Sequence, residues 1–496
     1  MTHPVLTPRP PGRPRRASVL TSALLLLVCS GPQSRAAPPP VRTAITLHTD
    51  KPGAHIPADF VGLSCEKKIL TRDCFHPDNT VLINLFRSLG VGVLRVGANE
   101  ADSTFWSRTH SAPLGSMQEN RYSEAPATIG PACVDHLLGF AKNTGWRLIY
   151  GLNLATNDPA MATDEAAYVH QKAGSALLAL EIGNEPNLYP KSAKREGVRP
   201  SHYAYPQYRG EFGAYADSIR TQTPSAPLTG PATTRICKWF PDFVTEFKNR
   251  TALITSHLYL LSAKEEDPKS PRFASIENLL TRKVEEEWLP QLEASKAAGV
   301  PFRLAECNTA SGGGKRGVSD AFASALWALD FLFDVAEHGG AGVNLHGGFT
   351  PGNYSPICYL RKEQRYEPSP IYYGMLLFHK AARGRVIKAE RDTEARLAIH
   401  ATLGDDQRLR VVLINKDLTV PITASITAAS MGAGAQLIRL SAPSPDSTTG
   451  VTLAGSAVAP DGTWKPQPSE LLPCKDGRCA VTLPSASAAL LTIDPR

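Results

Sequence analysis

From residue 60 to about residue 347, short apolar runs recur with helix-like stretches between them. The runs are FVGLSCE (60–66), VGVLRVGA (91–98), WRLIYGLN (146–153), ALLALEIGNE (176–185), APLTGPA (226–232), TALITSHLY (251–259), PFRLAECN (301–308) and GAGVNLHG (340–347). Strands with so little polar alternation are buried on both faces. The stretches NTVLINLFRSLG, PACVDHLLGFAKNTG and SDAFASALWALDFLFDVAEHG between them read as helices. Apolar strands alternating with helices predict a parallel sheet, and eight such units predict an α/β fold of the closed (β/α)8 TIM barrel type across residues 53–380. An open doubly wound sheet also accommodates eight strands, so the polar positions carry the decision. Glu66, Arg95, Asn153, Asn184, Glu185, His257, Tyr259, Glu306 and His346 all fall at or near the C-terminal ends of their runs. A barrel gathers those ends around one opening.

After about residue 380 the pattern changes to short β-like runs separated by turn residues: RGRVIKAERD, ARLAIHATLG, LRVVLINKDL, TVPITASI, AQLIRLSA and CAVTLPSASAALLTID. This predicts a β-sandwich over 381–496. Residues 37–52 read as a linker, APPPV, followed by the alternating strand RTAITLHTD, which is expected to join that sandwich.

Residues 1–36 read as a signal peptide. Arg9, Arg13, Arg15 and Arg16 form a positive leader, VLTSALLLLVCS an apolar stretch too short to span a bilayer, and SRAA a small-residue end. The expected location is periplasmic or extracellular, by general or twin-arginine export. Cys29 lacks the small residue before it that a lipoprotein signal wants. Setting this segment aside removes five of the 53 bases, leaving 48 against 46 acids, so a net charge of +7 becomes +2. That removes any whole-chain argument for nucleic acid or, after signal removal, for membrane. Eight of nine cysteines remain, an even number in an exported chain. Cys474 and Cys479, in PCKDGRCAV, flank an Asp-Gly turn and are the expected hairpin disulfide; a zinc site lacks a second Cys/His pair at suitable spacing.

The chemistry concentrates on Glu185 and Glu306, at the ends of the fourth and seventh runs. Either glutamate alone reads as a loop carboxylate. As a pair at a barrel mouth they match the two carboxyl groups a retaining glycosidase needs. Asn184 is placed to bond a sugar 2-hydroxyl, Pro186 is expected to hold Glu185 extended, and Tyr259 to donate to Glu306 and keep it ionised. Arg303, three residues before Glu306, falls on the opposite strand face. His257 and His346 either satisfy backbone groups or touch the site.

Rival chemistries are weaker. GGGKRG at 312–317 satisfies G-x-G-x-x-G, but residues 309–311 separate it from the strand end, so it does not form the tight strand-to-helix turn of a dinucleotide site. It reads better as a flexible loop beside a sugar pocket, with Lys315 and Arg316 either solvated or facing an anionic substrate. Cys307 lacks a His/Asn framework, there is no G-x-S-x-G elbow, and no metal motif is visible.

With these residues in place, the sequence resembles glycoside hydrolase family 79, the heparanases and microbial β-glucuronidases. GLSCE, VLRVGANEADSTFW, GLNLAT, EIGNEPNLY, SHLYL, AECNTASGGGKRGVSDAFASALWALDFL and GVNLHGG carry the resemblance. It implies a retaining β-glucuronidase with Glu185 as acid/base and Glu306 as nucleophile. Glu66, Asn153, Asn184, Tyr259, Tyr354 and the backbone near Gly313 would contact substrate, the last two at the uronic carboxylate. The substrate would be a uronic-acid-containing glycan, and no cofactor or metal is implied. An endo-acting heparanase-like enzyme and a non-catalytic carbohydrate-binding protein are the alternatives. Two stretches depart from the family pattern: Gly97-Ala98-Asn99-Glu100 stands where Gly-Gly-Asn-Ser is usual, and Ser311 where a carboxylate-holding tyrosine is expected.

Overall fold

The eight apolar runs form eight parallel strands that close on themselves in chain order. They are β2 (Val61–Glu66), β3 (Val93–Gly97), β4 (Arg147–Leu152), β5 (Leu177–Ile182), β6 (Leu228–Thr234), β7 (Leu253–Ser262), β8 (Phe302–Ser311) and β9 (Gly342–His346). Closure is made by β9 against β2, with Val343 opposite Val61 and His346 opposite Ser64. The structure is a computed structural model that describes residues 38–118, 125–190, 198–429 and 431–495. The leader read as a signal peptide, Cys29 included, lies outside the described residues. Among the described residues, no helix is long and apolar enough to cross a membrane.

The alternation of side chains along each strand builds the barrel interior in layers. Val93, Ile149, Leu253 and Ala305 form a small apolar cluster of their own, while Leu94, Val96, Leu148 and Tyr150 belong to the large core shared with the helices. Two residues beyond Val93 and Leu253, Arg95 and Thr255 point inward again and meet Glu181 of β5. The barrel therefore has an apolar floor, a polar layer above it, and then the mouth. A bulge in β8 breaks this period: Leu304 pairs with Ser256 but Glu306 already pairs with His257. It turns Ala305 and Glu306 both inward and sends Cys307 to the helix-side core.

The sheet domain is one continuous hydrogen-bonded path. β1 (Val41–His55) enters it between β10 (Arg385–Arg391), antiparallel, and β13 (Ile422–Ala428), parallel. β11 (Leu397–Leu403), β12 (Leu409–Asn415), β17 (Ser487–Pro495) and β14 (Met431–Ser441) extend the path on one side. β16 (Arg478–Leu483) ends it on the other, and β15 (Glu470–Pro473) pairs with β14. The sheet folds over, so that Arg439 of β14 donates to the carbonyl of Thr482 on β16. Inside lie Ile45, Ile387, Val411, Ile426, Val481 and Leu491. The opposite face, with Val412, Ile414 and Leu490, is continuous with the barrel core. Cys474 and Cys479 are disulfide-bonded across the β15–β16 hairpin; the six other described cysteines are buried.

Candidate active site

Glu306 is 4% exposed and both its oxygens are taken. Tyr259 Oη donates to Oε1 at 2.7 Å, and Arg95 Nη1 donates to Oε2 at 2.7 Å. Nδ1 of His257 and Nδ1 of His346 stand 3.9 and 4.0 Å from Oε2. Burial alone would raise this carboxyl's pKa. His346, His257, Arg95 and the Tyr259 hydroxyl outweigh burial and hold it well below the usual carboxylate range. Tyr259 in turn is pushed up, by burial first and then by the charge of Glu306, so it stays a hydroxyl donor. Arg303 lies elsewhere, donating to Asn344 and to the carbonyls of Asp59, Phe60 and Ala341 at the other end of the barrel.

Glu185 is not extended as its position before proline suggests. It adopts φ 45° and ψ 50°. The conformation is fixed from both sides: its N–H donates to Ala232 O at 2.8 Å, and its carbonyl accepts from Leu188 N at 2.9 Å as a 3-10 turn, Pro186–Leu188, begins. Tertiary pairing with β6 thus overrides the local pre-proline preference, and a strained backbone sits under a candidate acid. The side chain meets His257 Nδ1 at 3.1 Å. One oxygen from each of Glu185 and Glu306 and a ring nitrogen of His257 all lie within 4.8 Å of one another. With donors already on both oxygens of Glu306, that trio is poorly suited to a cation and well suited to two carboxyl groups in different protonation states.

The surrounding expectations divide. Asn184 reaches the site, but Arg95 Nη2 donates to its Oδ1 at 2.7 Å and its Nδ2 donates to Asn99 Oδ1 at 3.2 Å. Ala98-Asn99-Glu100 therefore serves the site, Glu100 through its N–H, which donates to Glu66 Oε2 at 2.7 Å. Glu66 also meets His346 Nε2 at 3.7 Å. Behind it, Lys67 is wholly buried against Glu165 at 2.8 Å, with Tyr150 Oη donating to the same carboxylate. Tyr354 stands beside Tyr259 and His346, ring centroids 6.0 and 5.9 Å away. Gly313 has φ 92° and open space where a Cβ would be; its neighbour Gly314 lies against the Tyr354 backbone. Both histidines touch the site.

Asn153 has a different job from the one its position suggests. It is fully buried, its Nδ2 donates to the carbonyls of Asp102 and Thr104, and its Oδ1 accepts from Thr156 N, so it ties the segment after β3 to the end of β4. Ser311 turns back to donate to Leu261 O at 3.4 Å. Cys307 is 1% exposed with its thiol pushed well up by burial, which removes it as a nucleophile. The glycine stretch follows the long β8 as a loop with left-handed residues at 312, 313, 314 and 317. The residues missed from sequence are Arg95, to which no role was assigned, and Glu181. Both are inward-facing charges inside apolar runs, and that anomaly is the signal.

Residues 399–490 match the glycosyl hydrolase family 79 C-terminal beta domain. The chain is 28% identical over 294 residues to a heparanase of Mus musculus, covering 56% of this chain and 52% of that protein. It is 26% identical over 322 residues to a β-glucuronidase of Neurospora crassa (56% and 55%), and 24% over 382 residues to one of Aspergillus niger (68% and 68%). It thus spans about half the length of the first two relatives. Among solved structures, a 4-O-α-L-rhamnosyl-β-D-glucuronidase from Fusarium oxysporum shares the fold with TM-score 0.75 and 19% identity, covering 90% of this chain and 100% of that one. A family 51 arabinofuranosidase from Xanthomonas axonopodis follows with TM-score 0.65, 13% identity and coverage of 92% and 100%. The chain is related to the heparanases and β-glucuronidases of glycoside hydrolase family 79, whose C-terminal β domain it carries.

Proposed function

We propose that the chain is a retaining β-glycosidase that removes β-linked glucuronic acid from glycans or glycoconjugates, with Glu306 as nucleophile and Glu185 as acid/base. The observation that carries this reading is the approach of the two carboxylates. Oxygens within 4.8 Å fit the spacing of about 5–5.5 Å used for retention and fall short of the roughly 6.5–9.5 Å that leaves room for an inverting water. Their environments also differ. Glu306 accepts from Arg95 and Tyr259, which keep it ionised, while the Glu185 carboxyl meets the His257 ring.

Glu306 attacks the anomeric carbon as Glu185 gives its proton to the glycosidic oxygen. The C1–O bond breaks, the aglycone leaves as an alcohol, and an ester to Glu306 forms. Glu185, now a carboxylate, takes a proton from water, whose oxygen attacks C1 and releases Glu306 as carboxylate. No cofactor enters these steps. Tyr354 and the Gly313 backbone are proposed to hold the uronic carboxylate and Glu66 the sugar hydroxyls, and the named activities of the relatives support glucuronate. Export is supported by the leader of residues 1–36 and the Cys474–Cys479 disulfide, since such bonds persist in oxidising compartments. The test is Glu306→Gln against a panel of aryl glycosides. Loss of glucuronide turnover by about 10⁴-fold or more is expected; unchanged turnover of every substrate would refute the assignment.

One observation favours a second reading, in which the glucuronate carries a further sugar. A cavity of about 630 Å³ opens beside Glu66, walled by Ile69, Met117, Phe349 and Tyr359, and none of Glu185, His257, Tyr259 or Glu306 lines it. The leaving group departs beside the acid, so space reached through Glu66 lies on the glycone side. A glucuronoside extended by another sugar should then be cleaved faster than the bare glucuronide; slower cleavage returns the reading to a plain exo-acting enzyme.

A further inference from the structure

Arg95 lies in the polar layer under the mouth with four acceptors around it, one of them Ser64 Oγ at 3.2 Å from Nη1. Its Nε donates to Glu181 Oε2 at 2.6 Å, its Nη1 to Glu306 Oε2 at 2.7 Å, and its Nη2 to Asn184 Oδ1 at 2.7 Å. Arg95 and Glu181 are both wholly buried. The second oxygen of Glu181 accepts from Thr255 Oγ1 at 2.9 Å. One guanidinium is therefore shared by two carboxylates with different exposure to substrate. Glu181 is sealed between strands, and Glu306 faces the mouth.

In a site of low effective dielectric, a negative charge on Glu181 opposes the pull of Arg95 on Glu306. We propose that Glu181 is a positioning residue that sets the reactivity of Glu306 by dividing the charge of Arg95 between the two. With Glu181 ionised, Glu306 stays basic enough to attack the anomeric carbon. With Glu181 neutral, the whole guanidinium charge falls on Glu306, which becomes a poorer nucleophile and a better leaving group. The other groups facing Glu306 are His257 and Tyr259 from β7, His346 from β9, Tyr354 beyond it, and Glu185 after β5. None of them contacts Glu181 in a hydrogen bond, so a change at Glu181 reaches Glu306 through Arg95. Glutamine fits the same space: its amide oxygen accepts from Arg95, and its NH₂ donates to Thr255.

This inference rests on the reading of Glu306 as nucleophile, and the experiment separates the two. Wild-type full chain, Glu181→Gln and Thr255→Val are compared in stopped flow with 2,4-dinitrophenyl β-glucuronide. For Glu181→Gln, kcat/KM, which reports attack by Glu306, is expected to fall about tenfold, the equivalent of one pH unit of basicity. The rate constant for hydrolysis of the glycosyl-enzyme is expected to hold or rise. Equal loss in both steps would overturn the proposal, because Glu181 would then be scaffold only. Thr255→Val keeps the charge on Glu181 and strengthens its draw on Arg95, so attack should be no slower than in wild type. A tenfold slower attack overturns the proposal even if Glu181→Gln does not fold. Absence of any glycosyl-enzyme in the wild type refutes the nucleophile reading itself, before any variant is compared.

Discussion

Two buried charge networks sit at opposite faces of the barrel's helices, and their contrast explains which one can do chemistry. At the seam with the sheet domain, His400 of β11 lies between two acids of the helix Ala323–Glu337. Nδ1 meets Glu337 at 2.7 Å and Nε2 meets Asp330 at 2.9 Å, while Lys416 pairs with Asp330. Two cations face two acids, and an imidazole facing carboxylates at both nitrogens carries both protons. Burial works against that charge, but Glu337 and Asp330 outweigh it and push the pKa up to about 10. Asp330, like Glu306, is held well below the usual carboxylate range despite burial, chiefly by Lys416 and His400. A depressed carboxylate alone therefore does not mark a catalytic site.

The mouth differs in its balance. Glu66, Glu181, Glu185 and Glu306 gather around Arg95, with His257 and His346 between them. The four carboxyl groups outnumber the one guanidinium and two imidazoles. A site rich in carboxyl groups suits a transition state in which positive charge develops on a sugar ring. At the seam each acid that meets His400 or Lys416 has a cation at hydrogen-bond distance, which ties the helix to the sheet domain; at the mouth Glu181 and Glu306 share one guanidinium.

The largest effect that would sharpen this comparison is at Glu185. Glu185→Gln should slow cleavage of a glucuronide with an alkyl leaving group by about 10²–10⁴-fold, yet leave release of dinitrophenolate far less affected, because only the poor leaving group needs a proton. Equal losses for both leaving groups, read from kcat/KM, would remove Glu185 as the acid.

At the seam the expected loss is in stability. His400→Leu leaves two acids and one cation and should cost about 3–5 kcal/mol in urea unfolding, with kcat/KM of the folded enzyme unchanged. If activity falls in step with Glu185→Gln, the two networks are not separate. The smallest effect is in pH dependence. Because the folded pKa of His400 is raised from 6.5 to about 10, its contribution is fully present below 6.5 and lost as pH rises through 10. Wild-type melting temperature should therefore decline across that window, and His400→Leu should flatten the decline. The depressed Asp330 acts in the other direction, its contribution present above 3.8 and lost as pH falls.

The contrast also shows how far sequence carries. All eight barrel strands were legible because each is a run buried on both faces, and Glu185, Glu306 and Tyr259 were legible because strand ends of a barrel meet. The Glu306–Tyr259 bond needed only neighbouring strands, β7 and β8. What stayed hidden depends on closure. Arg95 on β3 bonds Glu181 on β5 and Glu306 on β8, a triangle across the interior that no local pattern encodes. The left-handed backbone of Glu185 arises from β6, and the role of Asn153 from carbonyls after β3. The bulge at Ala305 likewise exists only in the register between β7 and β8.

The most direct test of the central claim is to trap the enzyme with a 2-deoxy-2-fluoro glucuronyl fluoride and map the modified peptide by mass spectrometry. A covalent sugar on Glu306 is the predicted result. A label on any other residue, or turnover with inversion at the anomeric carbon, would contradict the account.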